Sequence, residues 1–190
     1  MKIILFLIAI FVAGCAGVFS IERTPPTTMY IESLDESGLH RNATWGNYIK
    51  YFRDGDSVIV IGHQGDYYYA VAGNDTGFVE KADLISQREF QVKKIPLVFK
   101  LPKSESDDAW GRANLYLANN STMKIQTASD YLLETYNPTS VGRIGFSITR
   151  SPIKDSVLFT VKSVPFGSTE YEIRKADREA RYLAQAIMKP

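Results

Sequence analysis

The chain has 190 residues, with 22 Lys and Arg against 21 Asp and Glu and a formal net charge of +1. This balance, without a long basic stripe, excludes a dedicated nucleic-acid binder. One cysteine excludes an intramolecular disulfide, and two histidines without a Cys/His/carboxylate cluster at ligand spacing exclude a structural zinc. Eleven Tyr and ten Phe favour β-rich cores and leave some rings for surfaces. Met1 and Lys2 form a short positive start, and residues 3–14, "IILFLIAIFVAG", carry no charge. That run is too short to span a bilayer as a helix, which needs about 20 residues, and reads as the core of a signal peptide over 1–14.

Val12-Ala13-Gly14-Cys15 resembles the lipobox of bacterial lipoproteins. The resemblance implies that the Cys15 thiol receives a diacylglycerol, that the signal is cut before it, and that the new amino end is acylated. Cys15 is then the first residue of the mature protein, with membrane lipid as its partner. Each buried methylene contributes about 0.8 kcal/mol, so several acyl chains anchor firmly. Ala16 and Gly17 follow where an aspartate retains lipoproteins at the inner membrane, so the resemblance implies the cell envelope, in the outer membrane facing the periplasm. Lys2 is the one charge lost with the signal, leaving 21 basic and 21 acidic residues. Residues 15–27 contain Pro25-Pro26 and read as a lipidated tether. About twelve residues at about 3.3 Å each reach roughly 40 Å at most.

Residues 28–86 form a series of short strands. "DGDSVIVIG" (54–62), "DYYYAVAG" (66–73) and "GFVEKADLI" (77–85) are punctuated by Gly62, Gly65, Gly73 and Gly77. Gly55-Asp56-Ser57-Val58-Ile59-Val60-Ile61-Gly62, Tyr67-Tyr68-Tyr69-Ala70-Val71 and Thr76-Gly77-Phe78-Val79 together resemble the bacterial SH3-type domain. Tyrosine stands for the family's usual tryptophan in the aromatic pair, and phenylalanine in the Gly-Trp-Val. The family's opening Arg-x-Gly-Pro is missing. The resemblance implies a small all-β SH3-like barrel. Strand alternation puts Tyr67 and Tyr69 on one face and Tyr68 on the other, one side core and the other exposed. Tyr67, Tyr68, Tyr69, Tyr51 and Trp45, with Tyr48 nearby, are the candidate ligand-binding residues, for stacking on a sugar or a peptide. The competing reading is that these rings finish a small core. His40 and His63 read as exposed turn residues.

Residues 87–94 read as a polar linker, and 95–190 as an α+β domain. A strand over 95–102 alternates Leu97, Phe99 and Leu101. A helix over 104–121 starts on Ser104 and Asp107 as a capping box and presents Trp110, Ala113 and Leu117. "KIQTASDYLLETY" puts Ile125, Thr127, Tyr131 and Leu133 on one side of a strand. Ile144, Phe146 and Ile148 share a face of the next, and Val157, Phe159 and Val161 of the third. A last helix over 169–188 aligns Ile173, Ala176, Ala180, Leu183, Ala184 and Ile187. Two helices thus cover an antiparallel sheet in the order β-α-β-β-β-α. This order is similar to the half-repeat of the TATA-binding-protein-like fold, which also occurs in bacterial envelope lipoproteins; it implies no DNA binding.

Catalytic motifs are weak. Ser121-Thr122-Met123-Lys124 and Ser151-Pro152-Ile153-Lys154 read S-x-x-K, yet neither falls on a helix that would bring serine beside lysine. A cysteine peptidase lacks its nucleophile once Cys15 is acylated. Asp107-Asp108 reads as complementing a helix dipole. Gly142-Arg143-Ile144-Gly145 lacks phosphate-loop spacing, and no cofactor is expected. Arg174, Arg178 and Arg181 form either a basic partner surface or a solvated helix face. The expected function is that of a non-catalytic binding or scaffold module for peptidoglycan or partner proteins. The alternatives are a cell-wall hydrolase or its regulator, and a structural component of an envelope assembly.

Overall fold

The computed structural model describes residues 20–32 and 37–189; the signal core, the lipobox and Cys15 lie outside the described residues. The chain divides into two compact units, the first ending at Gln87 and the second starting at Arg88.

The first unit is β1 (Glu22–Ile31), β2 (Ser37–His40), β3 (Tyr48–Phe52), β4 (Ser57–Gln64), β5 (Tyr67–Ala72), β6 (Asp75–Glu80), a 3₁₀ turn (Lys81–Asp83) and β7 (Leu84–Ser86). They form one antiparallel sheet in the order β3-β2-β6-β5-β4-β1-β7. Its core draws on every strand: Ile31, Leu39, Phe52, Val58, Val60, Ala70, Ala72, Val79 and Leu84. The period-two alternation produces this directly, since Val58 and Val60 are buried while Ser57 and Ile59 are exposed. The expected closed barrel is not formed. The sheet is open, with β3 and β7 as edges. β7 is only three residues long and is bonded to β1 alone, through Met29, Tyr30 and Ile31.

The expected tether also gives way to structure. β1 begins at Glu22, and Pro25-Pro26 lies inside it, where the register with β4 jumps from Arg23↔Gly62 to Thr27↔Val60. A bulge is where a sheet tolerates residues without an N–H to donate.

The second unit is α1 (Gln87–Val92), β8 (Val98–Pro102), a 3₁₀ turn (Lys103–Glu105), α2 (Ser106–Asn120), β9 (Ile125–Ala128), β10 (Leu132–Thr135), β11 (Ile144–Ile153), β12 (Ser156–Pro165) and α3 (Glu170–Met188). The sheet is antiparallel in the order β8-β12-β11-β10-β9. Ala109, Ala113 and Leu117 of α2, with Ala176, Ala180, Leu183, Ala184 and Ile187 of α3, pack on its Phe99, Leu133, Ile144, Phe146, Ile148, Val157, Phe159 and Val161. Alanine at the contact positions lets both helices lie close to the sheet.

Several expectations change in this unit. The linker over 87–94 is largely α1. Four strands, not three, separate the long helices. The expected strand over 124–136 breaks at Ser129, whose Oγ accepts from the N–H groups of Tyr131 at 3.3 Å and Leu132 at 3.0 Å. This turn makes a β9–β10 hairpin and leaves Tyr131 exposed. The Ser104–Asp107 capping box is absent, because α2 starts at Ser106 and its N-terminus has no side-chain cap. Asp107 instead pairs with Arg150 at 2.7 Å. Arg150 also donates to the Asp130 carbonyl and stands 4.8 Å from the Trp110 ring, tying α2 to the hairpin turn. The reciprocal box occurs at Thr169 and Glu172 of α3, where it contributes about 1 kcal/mol.

Ile173 is exposed although its spacing fits the apolar face. Arg174, Arg178 and Arg181 form no free basic surface. They pair with Glu170 at 3.6 Å, Glu89 at 3.5 Å and Asp177 at 2.6 Å, and Arg181 also donates to the Ile95 carbonyl at 2.6 Å. Among the described residues no helix is long and apolar enough to cross a membrane.

Candidate functional site: the aromatic face of the first unit

Alternation along β5 divides the three tyrosines as expected. Tyr68, Ala70 and Ala72 face the core, and Tyr68 is half-buried at its margin with the Lys81 ammonium 5.4 Å from its ring. Tyr67 and Tyr69 project from the opposite face. There β6 supplies their partners. Tyr69 stands opposite Phe78, with ring centroids 5.0 Å apart and the Arg23 guanidinium 5.3 Å from the tyrosine ring. Tyr67 stands opposite Glu80 and donates its hydroxyl to the carboxylate at 3.4 Å. Burial first, and the Glu80 charge second, raise the Tyr67 hydroxyl above the usual tyrosine value, so it stays a neutral donor.

His40 ends β2 opposite Phe78 and is only 2 % exposed, which corrects its reading as an exposed turn residue. Its Nδ1 lies 2.9 Å from the Gly46 carbonyl. A carbonyl can only accept, so Nδ1 is the donor in this bond. The imidazole lies edge-on to Tyr67 at 5.6 Å and 4.4 Å from Tyr48, which lies 4.8 Å from Tyr51. The result is a continuous row, Tyr51–Tyr48–His40–Tyr67, across β3, β2 and β5. These spacings are those of favourable offset and edge-to-face ring pairs. His63 lies in β4, half-buried, with Nε2 3.4 Å from the Glu22 carboxylate.

Two local features build the row. In a regular strand, residues 48 and 51 point to opposite faces. A register shift at Leu39/His40 makes Ile49 an extra residue, so Tyr48 pairs with His40 and Tyr51 with Gly38, both on the same face. Gly38 then leaves room for the Tyr48 ring, because a Cβ there would run into its Cδ1 and Cε1.

The expected binding set is therefore divided. Tyr51 and Tyr67 are joined through Tyr48 and His40, and Tyr69 stands beside them with Phe78. Tyr68 serves the other face. Trp45 sits apart on the 41–47 loop, 79 % exposed, in a turn shaped by the positive φ of Gly46 (92°) and Asn47 (54°). His40 and Phe78 are the members that sequence reasoning missed.

A face of this kind stacks planar or C–H-rich ligand surfaces and offers hydroxyl donors. Among the described residues no group of three or more His, Cys, Asp and Glu stands ready to hold a metal ion. Neither S-x-x-K segment lies in a helix. Ser121 caps the end of α2 and bonds the Met123 backbone, while Lys154 sits at φ 41° in the β11–β12 turn. Compared with known proteins, the chain matches no family model, no curated protein and no solved structure.

Proposed function

We propose that this chain is a non-catalytic binding module of the bacterial cell envelope, anchored by acylated Cys15, whose first unit holds peptidoglycan on its aromatic face. The ring row from Tyr51 to Tyr67 carries the proposal. Tyr51 at its open end is 58 % exposed, while His40 and Tyr48 behind it are held in place by a bulge and a glycine. A preformed stack meets a sugar ring or a stem peptide without first losing side-chain entropy. The SH3-type pattern over Gly55–Val79 and the lipobox point to the same compartment.

Full-length chain in mild detergent is expected to sediment with purified sacculi. Tyr51→Ala and Tyr67→Ala are each expected to weaken retention about five- to tenfold, a loss of about 1–1.4 kcal/mol. Tyr68→Ala is expected to lower stability more than retention, since its ring belongs to the core face. Retention unchanged in the Tyr51/Tyr67 double variant would remove the aromatic face as the site. The anchor is tested separately: labelled palmitate is expected on the wild-type chain and absent from Cys15→Ala, and an unlabelled wild-type chain would exclude the lipoprotein.

A further inference from the structure

The second unit carries a cleft of about 570 Å³ at one end of its sheet, formed where the α2–β9 connection meets the β10–β11 loop. Small-molecule sites run to roughly 300–1,000 Å³. Met123 and Tyr136 supply its apolar surface, and Thr122, Gln126, Asn137 and Thr139 its neutral polar groups. Its only charged wall residues are Lys124 and Arg143. Among the described residues neither pairs with a carboxylate, and the Arg143 guanidinium lies 4.0 Å from the Met123 sulfur. A second cleft, of about 480 Å³, lined from α1, α2 and α3, differs in kind, because Glu179 stands in its wall with Arg88 and Lys189.

The fold brings the two cations to one cleft from separate segments and ties those segments by hydrogen bonds to main-chain groups. The Tyr136 N–H donates to the Lys124 carbonyl at 3.0 Å, and the Ile144 N–H to the Thr122 hydroxyl at 3.2 Å. Ser121 Oγ donates to the Met123 carbonyl at 2.9 Å, closing the turn that aims Lys124. The cleft is thus tied by main chain and by two hydroxyls, and the charged groups of its cations take no part in that construction.

We propose that this cleft binds a small ligand carrying one oxyanion, a carboxylate or a phosphate, on an apolar body. The oxyanion sits between Lys124 and Arg143, where ionised partners make the stronger hydrogen bonds, and the body lies on Met123 and Tyr136. Both cations are solvent-exposed, so the site is salt-sensitive and of roughly millimolar affinity for a minimal ligand. The site is distinct from the aromatic face and stands or falls independently of it.

The test is an amide-shift titration of the ¹⁵N-labelled full-length chain in detergent micelles at low salt. The probes are N-acetyl-leucine, its neutral analogue N-acetyl-leucinamide, and phenyl phosphate. At least one anionic probe is expected to shift amides in 122–126 and 136–143, with the neutral amide at least tenfold weaker. Response to the acid alone identifies a carboxylate ligand, to the phosphate alone a phosphate ligand, and to both a general oxyanion site. The Lys124→Gln/Arg143→Gln double variant is expected to lose at least tenfold in affinity while its remaining amide spectrum is unchanged, since neither charged group makes any of the hydrogen bonds that tie the cleft's segments together. Equal binding of acid and amide, unchanged binding by the double variant, or no response to either anion would overturn the proposal.

Discussion

Replacing Phe159 with alanine is expected to lower the stability of the second unit by about 3–5 kcal/mol, a large fraction of the roughly 5–15 kcal/mol that a domain typically possesses. Phe159 is fully buried in β12, a strand bonded on one edge to β8 and on the other to β11. Its ring stacks on Phe99 with centroids 5.6 Å apart and planes within 3°, and Trp110 of α2 approaches it at 6.3 Å. The residue therefore joins both neighbouring layers of the core at once. Deletion of the ring leaves a cavity that β-sheet backbone on two sides cannot collapse to fill. Urea unfolding in a Trp45→Phe background, where Trp110 is the one remaining tryptophan, reads this unit by fluorescence. Phe159→Leu, which keeps most of the volume, is expected to lose clearly less. A loss below about 1 kcal/mol for the alanine variant would mean that this packing is not as described.

Gly77→Ala is expected to destabilise the first unit by about 2–3 kcal/mol and to abolish sacculus retention with it. A Cβ at Gly77 would run into the His40 carbonyl oxygen, with Leu39 Cγ at 2.9 Å and Ile49 Cδ1 at 3.2 Å. The carbonyl is main chain and cannot rotate aside, so β2 must move away from β6. His40 is the one residue through which β2 is registered on β6, opposite Phe78, and its ring is the middle of the aromatic row. Strand separation here breaks the row as well as the sheet. Tyr51→Ala differs, because its exposed ring is expected to cost retention with little change in the urea midpoint. An unchanged midpoint for Gly77→Ala would show that β2 can shift without penalty.

The contrast between Gly77 and Tyr51 also marks how far the candidate site was legible from residues alone. Tyr67 and Tyr69 sharing a face follows from strand alternation, a property of one segment. Tyr48 and Tyr51 sharing a face does not, since it depends on which residue of β3 is bulged out against β2. His40 lies outside every recognisable motif. Its place beside Tyr67 exists only because β2 pairs with β6, a strand remote from it in sequence. Pro25-Pro26 is similar: two prolines describe a segment that resists regular pairing, yet β4 provides a partner that absorbs them in a bulge.

The second unit divides along the same line. Spacing alone yields the buried faces of β11, β12 and α3, because Ile144, Phe146 and Ile148, or Ala176, Ala180 and Leu183, repeat at the period of their own element. Glycines such as Gly65 and Gly73, with φ of 55° and 69°, likewise announce their turns from composition. These are local properties, set by the stereochemistry of a single stretch of chain. The open edges of the first sheet, the Ser129 turn that splits one expected strand into two, the Arg150 tie, the Arg178–Glu89 pair and the Arg181 bond to the Ile95 carbonyl belong to the tertiary structure. Each depends on a partner remote in sequence or on competition between backbone conformations of similar energy. Periodicity carries no record of which distant segment arrives to decide that competition.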